Sequence, residues 1–219
     1  MPVPLDFDSL DLKPALLGNL VEIGYTEMTL VQARALPQVL QGRDVIARAR
    51  TGSGKTAAFG LGLLNALDPT SFRLQALVLC PTRELAEQVA REIRRLAQAI
   101  PNIKILTLCG GAPVRRQNAS LQHSPHIVVG TPGRVFKHLR QETLELGGLR
   151  TLVLDEADRM LDMGFADELD AILAFVPADR QTLLFSATYP DAIASMSERV
   201  QRDPVTIDVT RDERPVPVE

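Results

Sequence analysis

Short apolar runs alternate with longer stretches of helical periodicity along most of the chain. Seven of the short runs are rich in Leu, Ile and Val, and several are continuously apolar, as in parallel strands that helices cover on both faces. The predicted strands are residues 44–48, 76–80, 103–109, 127–130, 151–155, 182–186 and 205–209. Strands that alternate with helices in this way predict a sheet built from βαβ units.

Six predicted helices lie between these strands, and prolines mark the joins, where a fixed φ and a missing N–H are tolerated. The predicted helices are residues 55–67, 84–99, 113–121, 133–140, 165–175 and 191–200. The fold class that follows is α/β, a mostly parallel sheet of about seven strands with helices on both faces. We expect an N-terminal helical segment over residues 1–34, one domain over 35–209 and the start of a linker over 210–219.

The chain has 219 residues, 45% of them hydrophobic and 23% charged, so it can bury a core without disulfides or a structural metal. Its two cysteines, Cys80 and Cys109, each end a predicted strand, and so few thiols indicate buried side chains in a reducing compartment. The sequence opens without a signal-peptide pattern, and no apolar run approaches the roughly 18 residues of a membrane span. We therefore expect a cytoplasmic monomer without a membrane partner.

The net charge of −3 conceals an uneven distribution. Residues 1–82 are neutral overall, residues 83–140 carry a formal charge of +7, and residues 141–219 carry −10. A basic block can bind phosphates even when the chain as a whole is acidic. Any nucleic-acid surface is therefore expected in the middle block.

A glycine-rich segment, ARTGSGKT at residues 49–56, connects the first predicted strand to an apolar helix. Backbone N–H groups of such a loop turn inward around phosphates at the helix N-terminus. Lys55 would contact the β- and γ-phosphates and Thr56 would ligate Mg²⁺. The alternative is a simple Gly/Ser turn with a solvated lysine, but the order of strand, loop and helix favours phosphate binding. The remaining loop residues are Thr51, Gly52, Ser53 and Gly54.

Two adjacent carboxylates follow another predicted strand. The apolar run Leu-Val-Leu precedes Asp155 and Glu156, and Asp155 lies 100 residues after Lys55. Asp155 would hold Mg²⁺, and Glu156 would orient and polarise the water that attacks the γ-phosphate. Asp-Glu pairs are usually surface charges, but paired carboxylates at a buried strand end need a cation to neutralise them. Together with the phosphate loop, they predict a nucleoside triphosphatase.

Asp155-Glu156-Ala157-Asp158 spells the name motif of the DEAD-box ATP-dependent RNA helicases, and six further segments match that family in order. They are GYTEMTLVQ at 24–32, ARTGSGKT at 49–56, PTRELA at 81–86, GG at 110–111, TPGR at 131–134 and SAT at 186–188. From about residue 7 to residue 209 the chain resembles the first, RecA-like domain of these P-loop NTPases. Longer stretches resemble a bacterial subfamily of ribosomal-RNA helicases. The resemblance implies ATP and Mg²⁺ as cofactors and single-stranded or duplex RNA, here ribosomal RNA, as the partner.

The resemblance also implies an adenine site near the N-terminus. The side-chain amide of Gln32 matches the N6 and N7 edge of adenine. Phe7 would stack on the base, and the alternative for this residue is a small hydrophobic anchor. Met28 and Leu30 replace prolines that the family usually has beside this glutamine, which puts the rigidity of the loop in question but not its selection of the base.

An RNA surface is implied for six residues of the basic block. They stand where predicted strands lead into helices, so backbone N–H groups and helix N-termini can bind the RNA backbone without recognising its sequence. Aromatic residues make up only 4% of the chain, which argues against base stacking. The alternatives are an ordinary salt bridge for Arg83 and a tight turn for the glycine pair. The six are Arg83, Gly110, Gly111, Thr131, Gly133 and Arg134.

Ser186 and Thr188 end an apolar strand, and their hydroxyls would bridge to Asp158 and couple the nucleotide site to the rest of the protein. The alternative for this segment is a helix cap. The three histidines have no Cys or carboxylate partners at metal-ligand spacing, which predicts packing or surface roles. They are His123, His126 and His138.

In the family, ATP is hydrolysed between two similar domains, and the second supplies arginines whose contribution is about 10³ to 10⁵ in rate. After Thr188 the sequence has no second set of βαβ units. We therefore expect the chain to be the ATP-binding half of an RNA helicase, with a second RecA-like domain as its partner, and nearly inactive alone. Two alternatives stay open: a nucleotide- and RNA-binding module without turnover, and another P-loop NTPase such as a DNA translocase.

Overall fold

A computed structural model describes residues 5–210 and contains one seven-stranded sheet. Every pair of neighbouring strands is parallel. The strand order is β3-β4-β2-β5-β6-β1-β7. All seven predicted strands are confirmed, with ends that move by no more than two residues. They are β1 (Val45–Arg48), β2 (Ala76–Leu79), β3 (Ile105–Leu108), β4 (Ile127–Gly130), β5 (Thr151–Asp155), β6 (Gln181–Ser186) and β7 (Val205–Asp208).

Nine α-helices and one short 3₁₀ helix, Phe7–Ser9, accompany the sheet in the described part of the chain. The six helices predicted one by one are all present. The predicted division at residue 34 falls within α2, which continues past Pro37. The α-helices are α1 (Pro14–Glu22), α2 (Leu30–Leu40), α3 (Lys55–Ala66), α4 (Arg83–Leu96), α5 (Val114–Leu121), α6 (Pro132–Arg140), α7 (Ala157–Asp162), α8 (Ala166–Leu173) and α9 (Asp191–Val200).

The sheet separates two hydrophobic cores. Helices α1 to α4 pack on one face, where the rings of Phe59 and Phe185 meet with centroids 5.2 Å apart. Helices α5 to α9 pack on the other face around residues such as Leu152 and Met160. Full burial of each large apolar side chain contributes about 1.5–3 kcal/mol. Because both faces are covered, the strands are apolar on both sides, which is why their runs are continuous in the sequence.

The strand order determines which loops meet at the carboxyl edge of the sheet. Strands β5, β6 and β1 are neighbours, so the phosphate loop, the Asp-Glu pair and the SAT segment follow adjacent strands. Strands β3, β4 and β2 are also neighbours, so the GG, TPGR and PTRELA segments form a second group beside the first. In parallel α/β sheets, ligands bind at this carboxyl edge.

The predictions for the cysteines and for two of the histidines are confirmed. Cys80 and Cys109 are buried and unpaired. Burial raises the pKa of the Cys80 thiol well above its usual value and that of Cys109 to about 11, so neither thiol is reactive. His126 and His138 are buried and hydrogen-bonded. In residues 5–210 no helix has the length and apolar character needed to cross a bilayer.

Candidate nucleotide and RNA site

The phosphate loop depends on two glycines with left-handed backbone. Gly52 has a φ of 85° and Gly54 a φ of 95°, a region that residues with a Cβ rarely adopt. A Cβ on Gly54 would also lie 2.6 Å from Nε2 of Gln32 and 2.8 Å from Oγ1 of Thr29. The loop therefore packs directly against the N-terminus of α2, where the predicted adenine-binding glutamine lies.

Lys55 begins α3 directly under this loop. The side chain is only 6% exposed, and Nζ donates a hydrogen bond to the carbonyl of Ala49 at 3.2 Å. An ammonium carries three donors, so a buried lysine with one carbonyl partner retains donors for an anion. The position of Lys55 at a helix N-terminus favours the same kind of ligand.

The two carboxylates lie where β5 ends. Glu156 adopts left-handed backbone, with φ 53° and ψ 52°, and thereby turns the chain from the strand into α7. One carboxylate oxygen of Glu156 accepts a hydrogen bond from Thr51 at 2.9 Å, and the other pairs with Arg159 at 2.6 Å. Glu156 is thus fixed to the phosphate loop. A left-handed non-glycine residue costs about 1–3 kcal/mol, which points to a functional constraint here.

Asp155 is almost fully buried, and its Oδ1 atom has no hydrogen-bond partner within residues 5–210. Burial raises the pKa of this carboxyl to about 6, although Lys55 opposes the rise, and the adjacent Glu156 carboxylate adds to it. A cation at Oδ1 would remove the cost of burying this charge. Asp155 is thus suited to bind a metal ion.

Four buried polar atoms without hydrogen-bond partners in the described residues cluster at this part of the carboxyl edge. Buried polar groups are nearly always paired, so a local cluster of unpaired ones indicates a ligand that supplies the missing partners. Two others, on Asn19 and Asn118, lie in helices α1 and α5. The four belong to the ends of β1, β5 and β6 and to the phosphate loop, and they are Arg48 Nε, Ser53 Oγ, Asp155 Oδ1 and Ser186 Oγ.

A cavity of about 360 Å³ opens at Asp155, whereas the other three residues of this group do not line it. Most of the predicted nucleotide residues line it, but Phe7, Gln32 and Ser53 do not. On the far side the cavity is bordered by Tyr25 and by residues of α4. The predicted residues that line it are Thr51, Gly52, Gly54, Lys55, Thr56, Asp155 and Glu156.

Phe7 lies in the hydrophobic core with 4% exposure, and its ring contacts Tyr25 edge to face at 6.0 Å. The structure therefore favours the anchor alternative, because a buried ring has no free face for a base. Tyr25 is the aromatic residue at the cavity. Its hydroxyl donates to Glu92 at 2.5 Å, and the guanidinium of Arg95 lies 5.5 Å from the ring centre.

The amide of Gln32 joins α2 to the phosphate loop. Its oxygen accepts from the backbone N–H of Thr29 at 2.9 Å, and its nitrogen donates to the carbonyl of Gly54 at 3.1 Å. A glutamine amide has two donor hydrogens and two acceptor lone pairs. One of each therefore remains, which is the pair that the N7 and N6 edge of adenine requires. Gln32 is, however, only 2% exposed and lies outside the cavity lining, so the amide reaches a base only if the segment around it moves.

The six predicted RNA residues lie together at the ends of β2, β3 and β4. The guanidinium of Arg83 lies against Gly111, at a place that a Cβ would occupy, and Gly111 has a φ of 81°. Arg83 also pairs with Glu87 at 3.0 Å on the surface, a contact that contributes about 0–1 kcal/mol. Arg134 donates to the carbonyl of Ala112 at 2.8 Å and so connects the TPGR segment to the GG loop.

Thr188 makes the predicted contact with Asp158. Its backbone N–H and its hydroxyl both donate to Oδ2 of Asp158, at 2.9 and 2.8 Å. Burial raises the pKa of the Asp158 carboxyl, but the hydrogen bonds from Thr188, together with Ser186 and the N–H of Arg159, outweigh burial and bring the pKa below its usual value. The Ser186 hydroxyl thus lies close enough to Asp158 to stabilise its charged form, although its Oγ is outside strict hydrogen-bond geometry within residues 5–210.

Several residues of the site were not predicted. Tyr25 lies within the quoted segment 24–32, so its aromatic side chain was a usable signal. Arg159 follows Glu156 by three residues on α7, a spacing at which helical side chains meet. Gln117 contacts Arg134 only through the tertiary fold, and no local pattern identifies it.

A family model described as DEAD/DEAH box helicase matches residues 29–196. The chain belongs to this family. The match includes the phosphate loop, both carboxylates and the three segments of the second group, whereas Phe7 and Tyr25 precede it.

Named members of this family are similar to the chain over most of its length. The chain is 62% identical over 208 residues to the ATP-dependent RNA helicase DbpA of Escherichia coli, covering 95% of this chain and 46% of that protein. It is 44% identical to the DEAD-box ATP-dependent RNA helicase CshA of Geobacillus kaustophilus, covering 96% of this chain and 45% of the relative. The chain thus spans about half the length of the curated relatives it matches.

A crystal structure of a DEAD box protein from Methanococcus jannaschii superposes with a TM-score of 0.90 at 37% identity. The match covers 95% of this chain and 57% of that one. The Saccharomyces cerevisiae protein dbp5, in a complex with gle1, superposes with a TM-score of 0.87 at 32% identity and covers 95% of this chain and 53% of its own. The RecA-like fold predicted from the motifs is confirmed.

Proposed function

We propose that the chain is the ATP-binding half of an ATP-dependent RNA helicase that couples ATP binding and hydrolysis to local separation of RNA duplexes. The observation that carries the proposal is the unpaired, buried Oδ1 of Asp155 at the cavity that the phosphate loop and Glu156 also line, in a chain of the DEAD/DEAH box family. An ATP molecule with its metal ion would supply the missing partner at this strand end.

Lys55 would exchange its contact with the Ala49 carbonyl for the β- and γ-phosphates, and backbone N–H groups of the phosphate loop would surround them. Thr56 and Asp155 would hold Mg²⁺, which would neutralise charge on the phosphates. Within residues 5–210 no three His, Cys, Asp or Glu side chains could hold a metal by themselves. That suits Mg²⁺, which usually takes one or two protein ligands and completes its shell with phosphate oxygens and water.

Glu156 would act on the water that attacks the γ-phosphorus. In hydrolysis, the water oxygen bonds to that phosphorus, the bond to the bridging oxygen breaks, and ADP leaves while Glu156 orients the water and receives its proton. Thr51 and Arg159 hold the two carboxylate oxygens, and each oxygen retains a lone pair for this task. The left-handed backbone keeps the side chain at the strand end.

Gln32 would select adenine with its remaining donor and acceptor, and Tyr25 is better placed than the buried Phe7 to contact the base or ribose. Asp158 and Thr188 would couple this site to the rest of the protein. RNA would lie across the second group of loops through its backbone, at Arg83, Arg134 and the N–H groups around them. The resemblance to ribosomal-RNA helicases makes ribosomal RNA the expected substrate.

A second RecA-like domain would close the cleft and supply arginines for hydrolysis, because the relatives are about twice as long as this chain. Residues 210–219 would begin the linker to that domain, and only residue 210 of them lies in the described part of the chain. A second candidate function is a module that binds nucleotide and RNA without hydrolysing ATP. The chain would behave in this way when no second domain is attached to it. We expect a cytoplasmic monomer.

The proposal is tested by equilibrium titration of fluorescent ATP and GTP analogues into the chain. We expect Mg²⁺-dependent binding that prefers ATP, and loss of binding in Lys55→Ala because the phosphates lose their cation. Lys137→Ala, an exposed lysine on α6, is the matched control and should bind normally. Equal affinity for GTP, or unchanged affinity in Lys55→Ala, would contradict the proposal.

A further inference from the structure

Gln117 is a buried glutamine on α5 that connects two of the loops in the second group. The residue is 6% exposed. Its amide nitrogen donates to the carbonyl of Cys109 at 3.0 Å, and its amide oxygen accepts from Nη1 of Arg134 at 2.7 Å. Cys109 immediately precedes the GG pair, and Arg134 ends the TPGR segment. One side chain therefore fixes the distance between both loops.

Arg134, which can only donate, determines which way this amide faces, and His138 is matched to that orientation. The Nε2 atom of His138 lies 2.9 Å from the same amide oxygen, and its Nδ1 atom lies 2.8 Å from the hydroxyl of Thr143. Since Nε2 faces an acceptor, it carries the proton, and the amide oxygen receives donors from both His138 and Arg134. Burial, with help from Arg134, lowers the pKa of His138, which keeps the ring neutral. An inverted amide would place its nitrogen against the Arg134 donor and its oxygen against the Cys109 carbonyl, so a single orientation is stable.

Arg134 is held by one of its nitrogens only. Both of its hydrogen bonds, to Gln117 and to the carbonyl of Ala112, start from Nη1. Within residues 5–210 its Nε and Nη2 groups have no partner, so one edge of the planar guanidinium stays available. That edge can bind a phosphate through two parallel hydrogen bonds. A free arginine side chain would lose up to about 2 kcal/mol of rotamer entropy on doing so, and a fixed one loses less.

We propose that Gln117 is a positioning residue for RNA binding: it holds the guanidinium of Arg134 against the GG loop so that the free edge meets an RNA phosphate. Gln117 is buried and does not touch the RNA. The inference rests on the proposed RNA surface, and it adds a residue whose effect reaches RNA only through Arg134.

The test measures the binding of a fluorescein-labelled uridine decamer by anisotropy at several salt concentrations, with Gln117→Leu, Arg134→Ala and the double variant. We expect each single variant to weaken binding about tenfold and to lower the salt slope by about 0.7, the value of one lost phosphate contact on a single strand. The double variant should bind no more weakly than Arg134→Ala alone, because both changes remove the same contact.

Two more variants separate positioning from structural damage. Gln122→Leu removes an exposed glutamine just after α5 and should leave both affinity and salt slope unchanged. Gln117→Glu retains an oxygen acceptor for Arg134 and His138, so it should restore the salt slope even if it lowers the melting temperature.

The outcomes for the inference and for the proposed function are distinct. If Arg134→Ala leaves RNA affinity unchanged, the RNA surface itself is wrongly assigned. If Arg134→Ala weakens binding but Gln117→Leu keeps the full salt slope, or the two losses add in the double variant, Gln117 does not position Arg134 and the inference is overturned.

Discussion

The Asp155 carboxyl combines almost complete burial with an oxygen that has no partner in the described part of the chain. Burial raises the pKa of this carboxyl from an ordinary value of 3.8 to about 6. Between about pH 4 and pH 6, the folded protein therefore binds more protons than the unfolded chain does. Stability is therefore lost as the pH rises from about 4 to about 6, and the cost stays constant above that range.

Replacing this carboxylate should stabilise the protein without nucleotide. We expect Asp155→Asn to raise the free energy of unfolding by about 3 kcal/mol at pH 7.5 and to have little effect at pH 4, because each pKa unit corresponds to about 1.36 kcal/mol. Thermal unfolding at the two pH values measures this. Asp162→Asn, at an exposed carboxylate on α7, is the matched control and should change little. An equal gain at both pH values would show that burial of the charge is not the cause.

Among individual residues, the sequence predicted which ones meet where a motif fixes both identity and spacing. Lys55, Asp155 and Glu156 line one cavity, as expected from the strand end or loop that each follows. Phe7 could not be assigned from the sequence, since an aromatic residue near a terminus can anchor or stack, and only its packing on Tyr25 distinguishes the two. Gln117 depends on a contact across seventeen residues, which no local pattern contains.

Helices α2 and α3 pack together, and one of their close contacts is at Gly62. A Cβ at this position would collide with a methyl group of Val39 on α2. Gly18 lies on the exposed side of α1, and a Cβ there would meet nothing within 4 Å. The two helical glycines thus differ only in whether a neighbouring helix needs the space.

Alanine at these two positions should have opposite effects. Gly18→Ala should stabilise the chain by up to about 1 kcal/mol, the difference in helix propensity. Gly62→Ala should destabilise it by about 1–2 kcal/mol, because overpacking of the core outweighs that gain. Urea denaturation measures both. If Gly62→Ala were stabilised as much as Gly18→Ala, the close approach of α2 and α3 would be wrong.

At the level of elements, the apolar runs predicted all seven strands because parallel strands covered on both faces need continuous apolar sequence. Helix α7 was missed because it has only six residues and begins at the strained Glu156. Helix α2 runs from Leu30 to Leu40 and so continues across the division predicted at residue 34, with Pro37 inside the helix.

At the scale of the whole molecule, the carboxyl edge of the sheet divides into two halves. Strands β5, β6 and β1 carry the residues that we propose bind the nucleotide, and β2, β3 and β4 carry the basic loops. The charge distribution predicted where the basic half would lie, but the adjacency of the halves depends on strand order, which the sequence does not contain. Thr188 and Asp158 lie in the nucleotide half and hold the strand end of β6 against α7.

We propose that this chain binds ATP but needs a second domain for RNA-stimulated turnover. Hydrolysis of radiolabelled ATP by the chain, with and without saturating RNA, tests it most directly when ATP binding is measured in the same samples. We expect ATP binding that depends on Lys55 and that Glu156→Gln leaves at the level of the unchanged chain. We expect RNA not to raise the rate of ATP hydrolysis. The arginines that accelerate hydrolysis by about 10³- to 10⁵-fold would come from the second domain. Hydrolysis that RNA stimulates a thousandfold or more, on the order of a complete helicase, would contradict the claim.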